Sequence, residues 1–192
     1  MVLPIIAYGD PVLKKVGTEI NKDYSNLNEL IVNMKETMKN ARGVGLAAPQ
    51  IGKAIRLFIV DTSPFSEDDQ LDKKEQDFLK EYKRVFINPT ITNEEGDEWA
   101  FSEGCLSIPN INEDVFRNER LTIEYFDENF KKQTENLSGL AARVIQHEYD
   151  HIEGILFTDK LSSLKKRLLK KKLTNISKGK VDVEYRMKFP KK

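Results

Sequence analysis

The stretch QHEYDHIEG (146–154) holds both histidines of the chain, His147 and His151, with Glu148 directly after the first. Histidines four residues apart lie on one face of a helix, which is how a helix offers two nitrogens to one metal ion. The spacing is the H-E-x-x-H of zinc metalloproteases, and other hydrolases need the same metal-activated water. A catalytic site keeps three protein ligands and one open position, so a third ligand must come from elsewhere. A metzincin would place a histidine at 157, where the chain has Phe157. A later glutamate is the other common choice, but Glu153 is too close to share the helical face and Glu184 falls on the polar side of a predicted strand. Cys105, in FSEGCLSIP, remains as the candidate. It is the single cysteine of the chain, so no intrachain disulfide forms, which suits a reducing cytosol.

Helices and strands must bring these residues together. Leu27, Leu30, Ile31, Met34, Met38 and Ala41 repeat at helical spacing, predicting a helix over 26–41 with Asn26 and Glu29 as a capping box. A second helix runs from Ser138 to about Glu153, where Leu140, Val144, His147 and His151 form one stripe. The metal face therefore points into the protein. A third, over 163–176, carries Leu164, Leu168, Leu169 and Leu173 among lysines and arginines. Apolar runs at 54–61, 84–91 and 121–127 read as strands, and 181–189 alternates apolar and polar as a half-buried strand does. The stretch 64–83 reads as a charged surface insertion.

These elements predict an α+β fold in a single catalytic domain spanning 1–192, with mixed or antiparallel strands packed around a central metal-binding helix. N- and C-terminal helices and a C-terminal strand complete it. Net charge is +0, yet 165–192 carries twelve lysines and arginines against Asp182 and Glu184. A basic helix and strand of this kind point to a polyanionic partner, with nucleic acid first in line. No apolar run approaches a membrane span, and the opening MVLPIIAYGDPVLKKVG lacks the pattern of a targeting segment. The expectation is a cytoplasmic protein without a membrane partner.

GVGLAAPQIG (43–52) matches the dinucleotide fingerprint formally. That motif needs a strand before it and a helix after it. Here a helix precedes, and Pro49 stands where the following helix would be starting, so a nucleotide site is excluded. Small residues in a row instead allow another backbone or a substrate to come close.

GVGLAAPQIG, EGCLSIP and QHEYDHIEG, in that order, resemble the three signature motifs of the peptide deformylase family, and the opening LPIIAYGDPVLKKV is similar to that family's N-terminus. The resemblance implies removal of the formyl group from N-formyl-methionyl nascent polypeptides, with release of formate. It makes Cys105, His147 and His151 the ligands of one divalent ion, Fe(II) in the cell, with Zn(II), Ni(II) or Co(II) as substitutes. Glu148 becomes the general base and then acid. The Gln50 side-chain amide and the Leu106 backbone N–H become the oxyanion donors. An extended substrate would pair along Gly43, Val44, Gly45 and Leu46. Its methionine side chain would sit among Val44, Gly45, Phe101, Glu103, Leu140 and Val144, with Gly104 beside the ligand cysteine. Many family members carry an arginine shortly after CLSIP; here NINED offers Asn112, with Arg117 further along. Ribosomal RNA becomes the expected partner of the basic segment. Two competing readings are a zinc peptidase, opposed by Phe157 and Cys105, and a ribosome-binding protein with a structural metal site, opposed by the lack of a fourth ligand.

Overall fold

The apolar runs at 54–61, 84–91 and 121–127 become neighbours in one antiparallel sheet in the computed structural model, which describes residues 1–190. In chain order the elements are β1 (Ile5–Ile6), α1 (Leu27–Asn40), β2 (Gly45–Ala47), β3 (Leu57–Asp61) and α2 (Lys73–Glu81). There follow β4 (Lys83–Cys105), β5 (Ile108–Phe126), β6 (Lys132–Ser138), α3 (Gly139–Ile152), α4 (Ser163–Ser177) and β7 (Met187–Lys188). Strands β2 to β6 form the sheet in sequential order, and β1 pairs in parallel with β7. The fold is α+β, as expected.

The β4–β5 hairpin is far longer than the apolar runs inside it. Residues 92–98 of β4 are exposed, so that stretch has no buried face to leave an apolar alternation in the sequence. Register shifts between Ile87 and Thr90, Ile91 and Asn93, and Glu95 and Glu98 mark bulges, which bend a hairpin. A last shift sits between Gly104 and Cys105, and the hairpin closes through Leu106 and Ser107 alone, with Cys105 paired to Ile108.

Helix α3 packs on β2, β3, β5 and β6 and is buried around nearly its whole circumference. Ala141 and Ala142 let it lie close to the sheet, where Ile145 and Ile152 fill a cluster with Phe58, Phe86, Ile123 and Tyr125. Each such buried aliphatic stabilises the fold by about 1.5–3 kcal/mol. Gly154 ends the helix at φ +71°, and a Cβ there would lie 2.6 Å from the Lys14 carbonyl oxygen. Met34 and Met38 of α1 pack in a second cluster with Leu57, Ile59 and Val85. A third joins Leu169, Leu173 and Ile176 of α4 to Ile6, Leu13 and Phe157.

Several local expectations are corrected. Asn26 has φ 58°, outside the extended geometry of a capping residue, and its side chain caps nothing. On α4 the buried stripe is Leu169, Leu173 and Ile176; Leu164 and Leu168 lie one residue out of phase and are 62% and 71% exposed. The stretch 64–83 forms a 3₁₀ turn (Ser63–Glu67) and α2, mostly exposed, but Leu79 and Tyr82 are anchored in the main core. Burial alternates from Val181 to Lys188 as its pattern predicts, yet among the described residues strand pairing is confined to Met187–Lys188. Lys191 and Lys192, the last charges of the basic segment, lie outside the described residues. Among the described residues, no helix is long and apolar enough to cross a membrane.

Candidate active site

Two elements bring the chemistry together. Helix α3 presents His147, Glu148 and His151, and the end of β4 presents Cys105. The ligand atoms of Cys105, His147 and His151 lie within 4.8 Å of one another, with Cys105 Sγ 3.3 Å from His151 Nε2. Neither glutamate that follows His151 joins them. Glu153 pairs with Arg56 at 2.7 Å, and Glu184 with Arg42 at 3.1 Å.

The donor set fits a cation. Glu103 Oε2 holds His147 Nδ1 at 2.9 Å, which leaves the other ring nitrogen for a metal. Burial lowers the His147 pKa, but its hydrogen bonds to Cys105 and Glu103 more than reverse this and push it up to about 10. The thiol and the carboxylate thus stabilise a proton on His147, which a bound ion would have to displace. Burial, followed by the charge of His147, keeps His151 well below its ordinary pKa, as a neutral imidazole ligand requires. One thiolate and two imidazoles then leave a coordination position open.

Glu148 is only 4% exposed, and among the described residues its Oε2 has no hydrogen-bond partner. Burial first, and then the charge of Glu103, push its carboxyl up to about 7. It packs on the backbone of β2: a Cβ on Gly45 would lie 2.4 Å from Glu148 Oε1. Gly45 is therefore required by space. Gln50 follows β2 in a 3₁₀ turn (Ala48–Ile51); its Oε1 accepts from Ala47 N–H at 2.8 Å. This turns the amide NH₂ towards Cys105 Sγ at 3.5 Å and Ser107 Oγ at 3.4 Å. Leu106 occupies the hairpin turn beside the cysteine.

These groups open into a cavity of about 580 Å³. Gly43, Val44, Gly45, Phe101, Gly104 and Val144 line it, as do Gln50 and Leu106. Leu46 and Leu140, expected beside the substrate, do not; both are core residues, 0% and 7% exposed. Glu103 reaches the cavity wall, but its carboxylate is taken up by Arg117, Arg143 and His147, so it supports a ligand rather than forming an apolar pocket. Arg117, the nearest arginine after CLSIP, is buried between Glu103 and Asp150 and is not among the residues that line the cavity. Sequence reasoning missed Arg143 and residues 182–185 as cavity residues. The only trace of the first was a charge beside Val144 on a helix face predicted to be buried.

A helix carrying H-E-x-x-H against a single cysteine, with a buried carboxylate beside them, defines a mononuclear metal-dependent hydrolase. The family model described as Polypeptide deformylase matches residues 2–167. The chain belongs to the peptide deformylase family and is a hydrolase with peptide deformylase activity. It is 67% identical to a peptide deformylase of Christiangramia forsetii over 99% of this chain and 97% of that one. It is 64% identical to that of Flavobacterium psychrophilum over the full length of both. The solved peptide deformylase of Thermus thermophilus aligns with a TM-score of 0.79 at 40% identity, covering 93% of this chain and 99% of that one. The peptidase and structural-metal readings are thereby set aside.

Proposed function

We infer that this deformylase acts on N-formyl-methionyl peptides, with Cys105, His147 and His151 holding one divalent ion. The observation that carries the reading is the Glu148 carboxylate, buried with its Oε2 unpartnered among the described residues, beside three converging donor atoms. When bound, the ion lowers the pKa of a coordinated water towards 7. Glu148 takes the proton of the attacking water and returns it to the amine as the C–N bond breaks and formate leaves; a pKa near 7 suits both duties. The Gln50 amide and the Leu106 N–H donate to the oxygen on which negative charge develops. A formyl carbon bears only hydrogen, which suits a floor where Gly45 leaves room for Glu148 and for no side chain of its own.

Among the described residues the edge of β2 away from β3 pairs with no strand, and an extended peptide adds there along Gly43 to Gly45. Val44, Phe101 and Val144, with Phe65, supply the apolar wall for the methionine side chain. Fe(II) is the ion in the cell, supplied by availability, since affinity order favours nickel and zinc over iron. Protein purified without oxygen should release formate from a formyl-Met tripeptide and none from its acetylated counterpart. Exposure to air should remove this activity and Ni(II) should restore it. No formate with any divalent ion would overturn the assignment.

The basic segment has a place in the same reading. Deformylation acts on chains leaving the ribosome in the cytoplasm, and Lys170, Lys171 and Lys172 are exposed on α4. Contact with ribosomal RNA would be steeply salt-dependent. Reversing these three charges should reduce co-sedimentation with ribosomes at low salt while leaving tripeptide turnover unchanged; unaltered co-sedimentation removes the ribosome from the reading.

A further inference from the structure

The family match ends at residue 167, yet residues 182–185 form part of the active-site cavity wall. This C-terminal segment is fastened along its length. Asn110 Nδ2 donates to the Asp182 carbonyl at 3.2 Å, Ile5 N–H to that of Arg186 at 2.9 Å, and Ala7 N–H to that of Lys188 at 2.9 Å. Between these anchors the Tyr185 hydroxyl donates to the Leu106 carbonyl oxygen at 2.8 Å. Across the cavity mouth Glu184 meets Arg42, an exposed pair that contributes little by itself.

We propose that Tyr185 is a positioning residue for deformylation, acting through the two-residue turn that carries Leu106. The turn between Cys105 and Ile108 follows a register shift at the end of the hairpin, so ladder pairing between β4 and β5 does not by itself set its peptide planes against α3. Its fixed points come from outside: Tyr8 N–H donates to the Ser107 carbonyl at 2.9 Å, Gln50 bonds Ser107 Oγ, and Tyr185 holds Leu106. On its other side the Leu106 side chain closes against Gly43, where an added Cβ would lie 2.8 Å from Cδ1. Tyr185 and Gly43 thus clamp the residue whose N–H faces the developing oxyanion. The proposal rests on that assignment of the Leu106 N–H. An oxyanion donor is worth on the order of 10²–10³ in rate, so loosening one without deleting it should cost about tenfold.

The test uses the full-length enzyme loaded with Ni(II) and a formyl-Met tripeptide. Tyr185→Phe removes one oxygen atom and keeps the ring. It should lower kcat about tenfold with KM and bound metal unchanged and Tm lowered by no more than the roughly 2–4 °C that one hydrogen bond is worth, a split that a general loosening of the fold would not produce. A kcat within about twofold of the parent, or a loss matched by loss of metal or by a fall in Tm well beyond about 4 °C, overturns the proposal. Replacing Leu106 by its α-hydroxy acid analogue turns the 105–106 amide into an ester and deletes the N–H. If that ester leaves kcat unchanged, the oxyanion assignment falls and the role of Tyr185 with it. If the ester lowers kcat and Tyr185→Phe does not, only the role of Tyr185 falls.

Discussion

Glu148→Gln is expected to lower turnover on the order of 10³-fold, within the range for a lost general acid–base, while metal content stays as in the parent. Glutamine keeps the shape and the two heteroatoms but cannot accept the proton of the attacking water. The carboxylate it replaces has no partner for Oε2 and is buried against Gly45. Burying an unpaired charge is costly, so the amide should leave Tm unchanged or raise it. Loss of activity without loss of stability is the signature of a group placed for chemistry. Gly45→Ala should reach part of the same loss from the other side, because its Cβ claims the space of Oε1. Rates for Glu148→Gln within tenfold of the parent would show that another group moves the proton.

The sequence was most legible where function and periodicity agree. His147 and His151 continue the stripe of Leu140 and Val144, so the inward orientation of the metal face followed from spacing alone. Cys105 could be named, but its approach to His151 depends on a hairpin whose outer stretch is polar and reads as loop. The case of Glu103 is instructive. Glu103 and Cys105 are two residues apart on β4 and share one face, so the face that delivers the thiol to His151 also delivers the carboxylate to His147. With the strand unrecognised, that pairing could not be drawn. Arg117 and Arg143 reach the same carboxylate from β5 and α3, a convergence that no local pattern announces. The C-terminal alternation was visible too, but periodicity does not say what an extended segment lies against; Tyr185 meets a residue 79 positions away.

That convergence carries the second large effect, on stability and on the metal together. Arg117 grips Glu103 through Nε and a terminal nitrogen, at 2.7 and 2.9 Å, and reaches Asp150 at 2.7 Å. Arg143 adds a bond to Glu103 at 3.2 Å while its guanidinium stacks on Trp99 and bonds the Trp99 carbonyl. Burial alone would raise the Glu103 pKa; the hydrogen bonds of Arg117 and His147 instead hold it well below the usual carboxylate range. Glu103→Ala would leave two buried guanidiniums facing each other with one acid, Asp150, beside Arg117. The expected cost is about 3–5 kcal/mol of stability. It would also release His147 Nδ1, and loss of such a support to a ligand histidine weakens metal binding about 10- to 100-fold. Glu103→Gln, which keeps an acceptor for the imidazole, should retain more of the metal affinity than of the stability. Thermal unfolding and metal competition against a chelator separate the two effects. Equal losses in both variants would mean that hydrogen bonding to His147 contributes nothing beyond charge, and wild-type metal affinity in Glu103→Ala would dissolve the link between the arginine network and the metal site.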